Sequence, residues 1–269
     1  MIYEQLVSRN SGYISQDLQS TIRSTRLLIA GCGLGSVFAE TAVRTGFESF
    51  VLLDGDTVSA HNLNRQIYVD SDIDQFKTGS LAKRLKAINP NAVIDVRNEW
   101  LKPETADRLV ADCDLIIDTI DFLDLPAVIA LHDAARAANK PILSAFSAGW
   151  GAVVGVFLPT SVTLRTVFGL PETGSLNGAT YPIVFAQAFK RLFPQLPADF
   201  VSVTSDVLQK MAEGRPCPAP QLASGANCAA AAICALAVRL LDGQPVAVAP
   251  DLILVDLADI CTKAGIRTV

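Results

Sequence analysis

Paired cysteines are missing from this chain. Its six, Cys32, Cys113, Cys217, Cys228, Cys234 and Cys261, are scattered without any CxxC spacing. That excludes the four-cysteine cage of a zinc ribbon and offers no disulfide framework, so the thiols read as buried or free. An excess of basic charge is missing too: 22 Lys and Arg stand against 27 Asp and Glu. Such a balance argues against a dedicated binder of nucleic-acid backbones. Histidine is scarce, and His61 and His132 are too isolated to nominate as a catalytic pair. Charge of either sign is sparse, at 18% of residues against 50% apolar, so a large core can form and disorder is excluded as a description of the whole. The chain opens without a basic segment leading into an apolar one, and no stretch is read as a membrane span, so a cytoplasmic location is expected.

What is present is an alternation. Short apolar runs give way to glycine turns and amphipathic helices: a strand over Arg26 to Ala30, a helix over Gly35 to Thr45 and a strand over Phe50 to Leu53. The series goes on with a helix over Thr78 to Ile88 stopped by Asn89-Pro90, a strand near Val93 to Val96 and a helix after Pro103. Leu115 to Ile117, a helix near Pro126 to Ala138 and a strand over Pro141 to Ala145 complete it. Strands alternating with helices predict an α/β fold, a doubly wound, mostly parallel Rossmann-like sheet with helices on both faces. Past Gly149, Gly151 to Phe157 and Val162 to Phe168 read as antiparallel strands that extend the sheet. A glycine-rich loop (Gly169 to Gly178), helices over Ile183 to Leu192 and Ser202 to Met211, and a proline-rich loop (Arg215 to Pro220) come next. An alanine-rich helix (Ser224 to Leu241), apolar on nearly every face, and a closing strand (Leu252 to Val255) end the series. The expected division is an N-terminal arm over residues 1–24, a nucleotide-binding core over 25–159, and a sheet extension, crossover loop and C-terminal helices over 160–269.

The first strand runs into Gly31-Cys32-Gly33-Leu34-Gly35-Ser36 and then a helix. Glycines here permit a tight turn and let backbone approach a phosphate, which the helix N-terminus favours. Ser36 stands where a third glycine is usual. Asp54, at the end of the second strand, is placed to accept hydrogen bonds from ribose hydroxyls. These features alone fit nucleotide binding of any kind, a dehydrogenase included.

The next residues are Asp54-Gly55-Asp56-Thr57-Val58, Asn62-Leu63-Asn64-Arg65-Gln66, Lys77 and Asp118-Thr119-Ile120-Asp121. In this order, with Ile88-Asn89-Pro90, they resemble the ubiquitin-activating enzyme superfamily, the ThiF, MoeB and HesA group, from about Thr25 to Pro159 and more loosely through Ser224 to Gly243. The resemblance implies an ATP-binding adenylyltransferase with magnesium and no structural zinc. Gly31, Gly33, Gly35, Asp54, Asp56, Asn62, Arg65, Gln66, Lys77 and Asp121 would form the nucleotide site. Asp54 would hold the ribose, while Asn62, Arg65 and Lys77 would contact the phosphates. Asp121 would hold the metal, which prefers hard oxygen ligands. A homodimer is implied, in which Arg9, in Ser8-Arg9-Asn10, is the candidate arginine reaching a partner's ATP, ahead of Arg23 and Arg26. Arg65, Lys77, Asp121 and Arg9 are thus the candidate catalytic residues.

The chain departs from the family where relatives read Asp-Asn and carry an arginine five residues after the aspartate; here stand Asp121-Phe122 and Pro126. The stretch Thr160 to Gln209 has no cysteine to form a thioester, which leaves Cys217, in Arg215-Pro216-Cys217-Pro218, as a weaker candidate. The expected substrate is the C-terminal glycine of a ubiquitin-like or sulfur-carrier protein. Open beside it are activation of a small molecule, a peptide or a tRNA base, an NAD-dependent oxidoreductase, and a non-catalytic nucleotide-binding module.

Overall fold

The computed structural model describes residues 3–121, 124–174, 176, 184, 186–188, 190, 193–215 and 219–263. Runs such as Leu27-Leu28-Ile29-Ala30 and Phe50-Val51-Leu52-Leu53 are apolar at every position, as strands buried on both faces must be. Five of them run parallel: β1 (Arg26–Ala30), β2 (Ser49–Leu53), β3 (Val93–Arg97), β4 (Leu115–Asp118) and β5 (Ile142–Ala148). Two antiparallel strands, β6 (Gly151–Phe157) and β7 (Leu252–Val255), extend them, giving the order β3-β2-β1-β4-β5-β6-β7. The order reverses beside β1, where a doubly wound sheet opens its ligand crevice at the carboxyl ends of the strands.

Alternate side chains of each strand feed two apolar layers. Leu27, Ile29, Phe50, Leu52, Leu115 and Ile117 pack under α2 (Gln16–Ser24), α3 (Leu34–Thr45), α4 (Lys77–Ile88) and α9 (Ala223–Leu241). Leu28, Ala30, Val51, Leu53 and Ile116 pack under α5 (Pro103–Ala111), α6 (Leu125–Ala137) and α7 (Leu164–Phe168). The helix ends have local causes. Ser15 accepts the Leu18 N–H at 3.2 Å to start α2, and Asp124 accepts the Ala127 N–H at 3.2 Å to start α6. Gly46, at φ +113°, ends α3 in a conformation that side chains avoid.

One expected strand is absent. Val162 to Phe168 does not join the sheet: α7 occupies Leu164–Phe168, and the second antiparallel neighbour of β6 is β7. The strand reading loses to the caps, because the Thr163 hydroxyl accepts the Thr166 N–H and Gly169 closes the helix at φ +68°. The helix expected over Ser202 to Met211 is α8 (Ala198–Ala212), begun one turn earlier, just after Pro197. Of the helix expected over Ile183 to Leu192, residues 184, 186–188 and 190 are described and helical; the rest, Ser175, Asn177 and Gly178 of the loop Gly169 to Gly178, and Cys217 lie outside the described residues.

Among the described residues one helix, α9, is long and apolar enough to cross a membrane by length and composition, although no stretch reads as a span in the sequence. In this fold it lies on the sheet, with Ala226, Ala229, Ala230, Ile233, Cys234 and Ala237 in the first apolar layer. Gly225 allows the approach, since a Cβ there would meet the Gly149 carbonyl oxygen at 2.6 Å.

The N-terminal arm, α1 (Tyr3–Leu6) and α2, docks on the far end of α3. Tyr3 Oη donates to the Gly46 carbonyl at 2.8 Å, and Asn10 Nδ2 and Gln19 Nε2 donate to the Thr45 carbonyl at 2.9 and 3.0 Å. Arg9 is therefore held at the C-terminal end of α3, a 12-residue helix that separates it from the glycine turn by about 18 Å.

Candidate nucleotide site

The glycine turn sits between the ends of β2 and β4 and is fixed by both. Gly31 donates to the Leu53 carbonyl at 2.9 Å, and Thr119 donates through its N–H to the Ala30 carbonyl at 2.9 Å and through its hydroxyl to the Gly31 carbonyl at 2.6 Å. Only glycine suits position 31: φ is +88°, and a Cβ would stand 2.4 Å from the Thr119 carbonyl oxygen. Gly35 answers to the same neighbour, with Thr119 Oγ1 2.6 Å from where its Cβ would be. Tyr68, buried, donates to the Cys32 carbonyl at 2.7 Å, and the Ser36 hydroxyl donates to the Gly33 carbonyl at 2.6 Å. Ser36 thus braces the turn from inside the helix. Gly33 precedes α3 with no side-chain cap, which leaves the positive end of the helix dipole facing the crevice.

Asp54 is 8% exposed. Its Oδ2 accepts the Cys32 N–H at 2.7 Å and its Oδ1 the Asp56 N–H at 2.8 Å, so the carboxylate ties the glycine turn to its own loop. Burial raises the Asp54 carboxyl above its ordinary value, opposed by those two N–H donors and by the Lys77 charge. Lys77 opens α4 and is 7% exposed, far from the solvated surface charge that a lysine usually is. Its ammonium meets Asp56 Oδ2 at 2.5 Å.

Asn62 and Arg65 come from the turn after β2. Asn62 is buried and its side-chain oxygen accepts the Ser59 N–H at 3.0 Å. Arg65 donates to Gln221 Oε1 at 2.8 Å, to the His61 carbonyl at 3.0 Å and to Asn64 Oδ1 at 2.9 Å. Half-burial lowers the Arg65 guanidinium below its ordinary value, and the nearby Asp121 carboxylate counters this. Gln66 turns toward Gly33, whose Cβ would lie 3.3 Å from Gln66 Nε2, and Gln66 Oε1 is buried with no hydrogen-bond partner among the described residues.

The fold thus gathers Gly31, Gly33, Gly35, Asp54, Asp56, Asn62, Arg65, Gln66 and Lys77 around one crevice, with Asp121 within electrostatic reach of Arg65. Arg9 of the same chain is not among them. Sequence reasoning misses four of the residues that hold the crevice in shape: Tyr68, Thr119, Gln221 and His132. His132 looks isolated along the chain, yet its Nε2 lies 3.0 Å from Asp118 Oδ2, which also accepts from the Ser144 hydroxyl at 2.9 Å. Asp118 Oδ1 accepts the Ile120 N–H at 3.2 Å and so shapes the turn leading to Asp121. No spacing marks these partners, because β4, β5 and α6 bring them together only in the fold.

The sequence pattern of the ThiF family matches residues 7–263. The chain belongs to the ThiF family. It is 35% identical over 130 residues to the adenylyltransferase and sulfurtransferase uba4 of Aspergillus niger, covering 47% of this chain and 26% of that protein. It is 30% identical over 148 residues to the sulfur carrier protein ThiS adenylyltransferase of Escherichia coli, covering 54% of this chain and 58% of that protein. The ThiF-family chain therefore spans about a quarter to three fifths of the length of these relatives. A crystal structure of E. coli MccB with ATP shares the fold, with a TM-score of 0.65 at 18% identity over 88% of this chain and 61% of that one.

Cysteine chemistry does not enter the described crevice. Cys32 is fully buried, and burial pushes its thiol well above the ordinary range. Cys113 is pushed up to about 11 for the same reason. Cys234 is a packing residue of α9, as expected, and Cys228 is partly buried on the same helix.

Proposed function

We propose that this chain binds magnesium ATP in the crevice and uses it to adenylate a carboxylate, that of the C-terminal glycine of a ubiquitin-like or sulfur-carrier protein. The observation that carries this reading is the uncapped start of α3 after a glycine turn, with two cationic side chains drawn from different elements beside the strand ends, Lys77 acting on Asp54 and Arg65 acting on Asp121. The named relatives, which are adenylyltransferases, support it. The donor set suits a polyphosphate: backbone N–H groups, a planar guanidinium fork and a point charge, with the orphaned Gln66 Oε1 ready to accept from a ligand hydroxyl. Among the described residues no three His, Cys, Asp or Glu side chains gather to hold a metal. Magnesium would be held by Asp121 together with phosphate oxygens, its usual arrangement beside nucleotides.

In the reaction a carboxylate oxygen attacks the α-phosphorus, the bond to the bridging oxygen breaks, and pyrophosphate leaves with the electron pair. The protein moves no proton in this step. Its residues align the two reactants and offset the charge that accumulates on the phosphates, with Arg65 and Lys77 as the fixed cations. Arg9 would add a third from the partner in a homodimer, since its own chain holds it at the other end of α3.

ATP–pyrophosphate exchange measured with candidate carrier proteins tests the reading. Arg65→Ala and Asp121→Ala are expected to lower exchange by about 100-fold; tight NAD binding without ATP binding would sink the proposal. For Arg9, mixing Arg9→Ala subunits with Asp121→Ala subunits restores part of the exchange if the arginine crosses the dimer. Heterodimers that form and stay inactive would count against it.

A further inference from the structure

Trp100 has no part in the polar frame of the crevice. It lies in the loop between β3 and α5, three residues past Arg97, and 60% of its surface is exposed. An indole left in water to that extent forgoes much of the stabilisation its burial would bring. Yet the ring is not adrift. A Cβ placed on Gly55 would meet Trp100 Cδ1, Cδ2 and Cε2, each at 2.7 Å. Three atoms spread around the five-membered ring at equal distance put Gly55 under the face of the indole rather than at its edge. One face therefore lies flat on the backbone between Asp54 and Asp56, and the exposed surface is the opposite face and the rim. Any side chain at position 55 would push the ring away, so the glycine that follows Asp54 provides the seat for the indole.

We propose that the open face of Trp100 is the platform on which the adenine of the bound nucleotide stacks. The inference rests on the nucleotide reading of the crevice and adds the base to it. With the phosphates at the start of α3 and the ribose at Asp54, the base projects away from the glycine turn, toward the β2 and β3 side of the sheet. Trp100 is an exposed aromatic residue on that side, seated on Gly55, the residue next to the ribose-binding acid. The other tryptophan, Trp150, is in the turn between β5 and β6, across β1 and β4 from Asp54, and is 52% exposed. Stacking recognises the flat face of a purine without needing a hydrogen-bond code.

Two tryptophans make the test direct. In a Trp150→Phe protein all tryptophan fluorescence comes from Trp100, and ATP is expected to quench it while inorganic triphosphate, which has no base, does not. By calorimetry Trp100→Ala is expected to weaken ATP binding about tenfold and leave triphosphate binding unchanged, and Trp100→Phe to recover most of the loss. Equal weakening of ATP and triphosphate would overturn the proposal, since the indole would then only support the Asp54 loop. ATP affinity unchanged in Trp100→Ala but lost in Arg65→Ala would overturn it while leaving the nucleotide site standing. A wild-type protein that binds neither ligand removes both.

Discussion

β2 and β4 flank β1 and each ends in an aspartate shut away from solvent, yet the two carboxylates face different parts of the molecule. Asp54 follows β2 and turns toward the crevice, where both oxygens accept backbone N–H groups of loops at the strand ends. Asp118 closes β4 and shares the face of Ile116, so its side chain enters the layer between the sheet and α6. There it meets His132, Ser144 and the Ile120 N–H. The first is bound to the segments a nucleotide would touch, the second to the frame that carries them. Two aspartates that look alike in sequence are separated by which side of the strand tip each one takes.

This contrast makes Asp118 the costlier residue to lose. Asp118→Ala would leave the His132 ring, itself packed edge-on against Phe157 at 4.8 Å, and the Ser144 hydroxyl facing an empty space in an apolar layer. Removing one member of such a buried group costs about 3 kcal/mol, and for a chain of this size that is a melting temperature lower by on the order of 10 °C. Urea and thermal unfolding measure it. A loss below about 1 kcal/mol would place Asp118 with the loops and erase the distinction.

The same contrast separates the features that are legible along the chain from those that are not. The parallel strands and most helices are legible because their signals are local: apolar runs for β1 and β2, Pro103 opening α5, Asn89-Pro90 closing α4. The residues proposed to face the nucleotide are legible through their order along one segment, from Gly31 to Lys77. The residues that brace them are not. Tyr68 reaches Cys32, Gln221 reaches Arg65 across 156 positions, and His132 reaches Asp118 from a helix face, none at a spacing that sequence alone makes visible. Val162 to Phe168 misleads because a cap at Thr163 and a left-handed Gly169 outweigh its strand-forming residues. Arg9 is legible as a candidate only through resemblance, and its place at the far end of α3 keeps it from the crevice of its own chain.

A smaller effect sharpens the comparison from the Asp54 side. Asp54→Asn keeps one acceptor oxygen but sets an NH2 group against the second backbone N–H, so one of the two bonds to Cys32 and Asp56 is lost. The expected cost is about 1 to 2 kcal/mol with the fold retained. Its pH dependence has a definite sign. Because burial raises the Asp54 carboxyl above 3.8, the folded chain holds that proton more tightly than the unfolded one. The stability owed to Asp54 is then complete below the unfolded value and is lost as pH rises through the folded one. The asparagine side chain does not titrate, so the gap between wild type and Asp54→Asn should be widest in acid and narrow toward neutral pH. Urea unfolding of both proteins across that range measures the gap. A gap that widens with pH would mean that Lys77 and the two N–H donors outweigh burial, and that the crevice is built to keep Asp54 ionised even without a nucleotide.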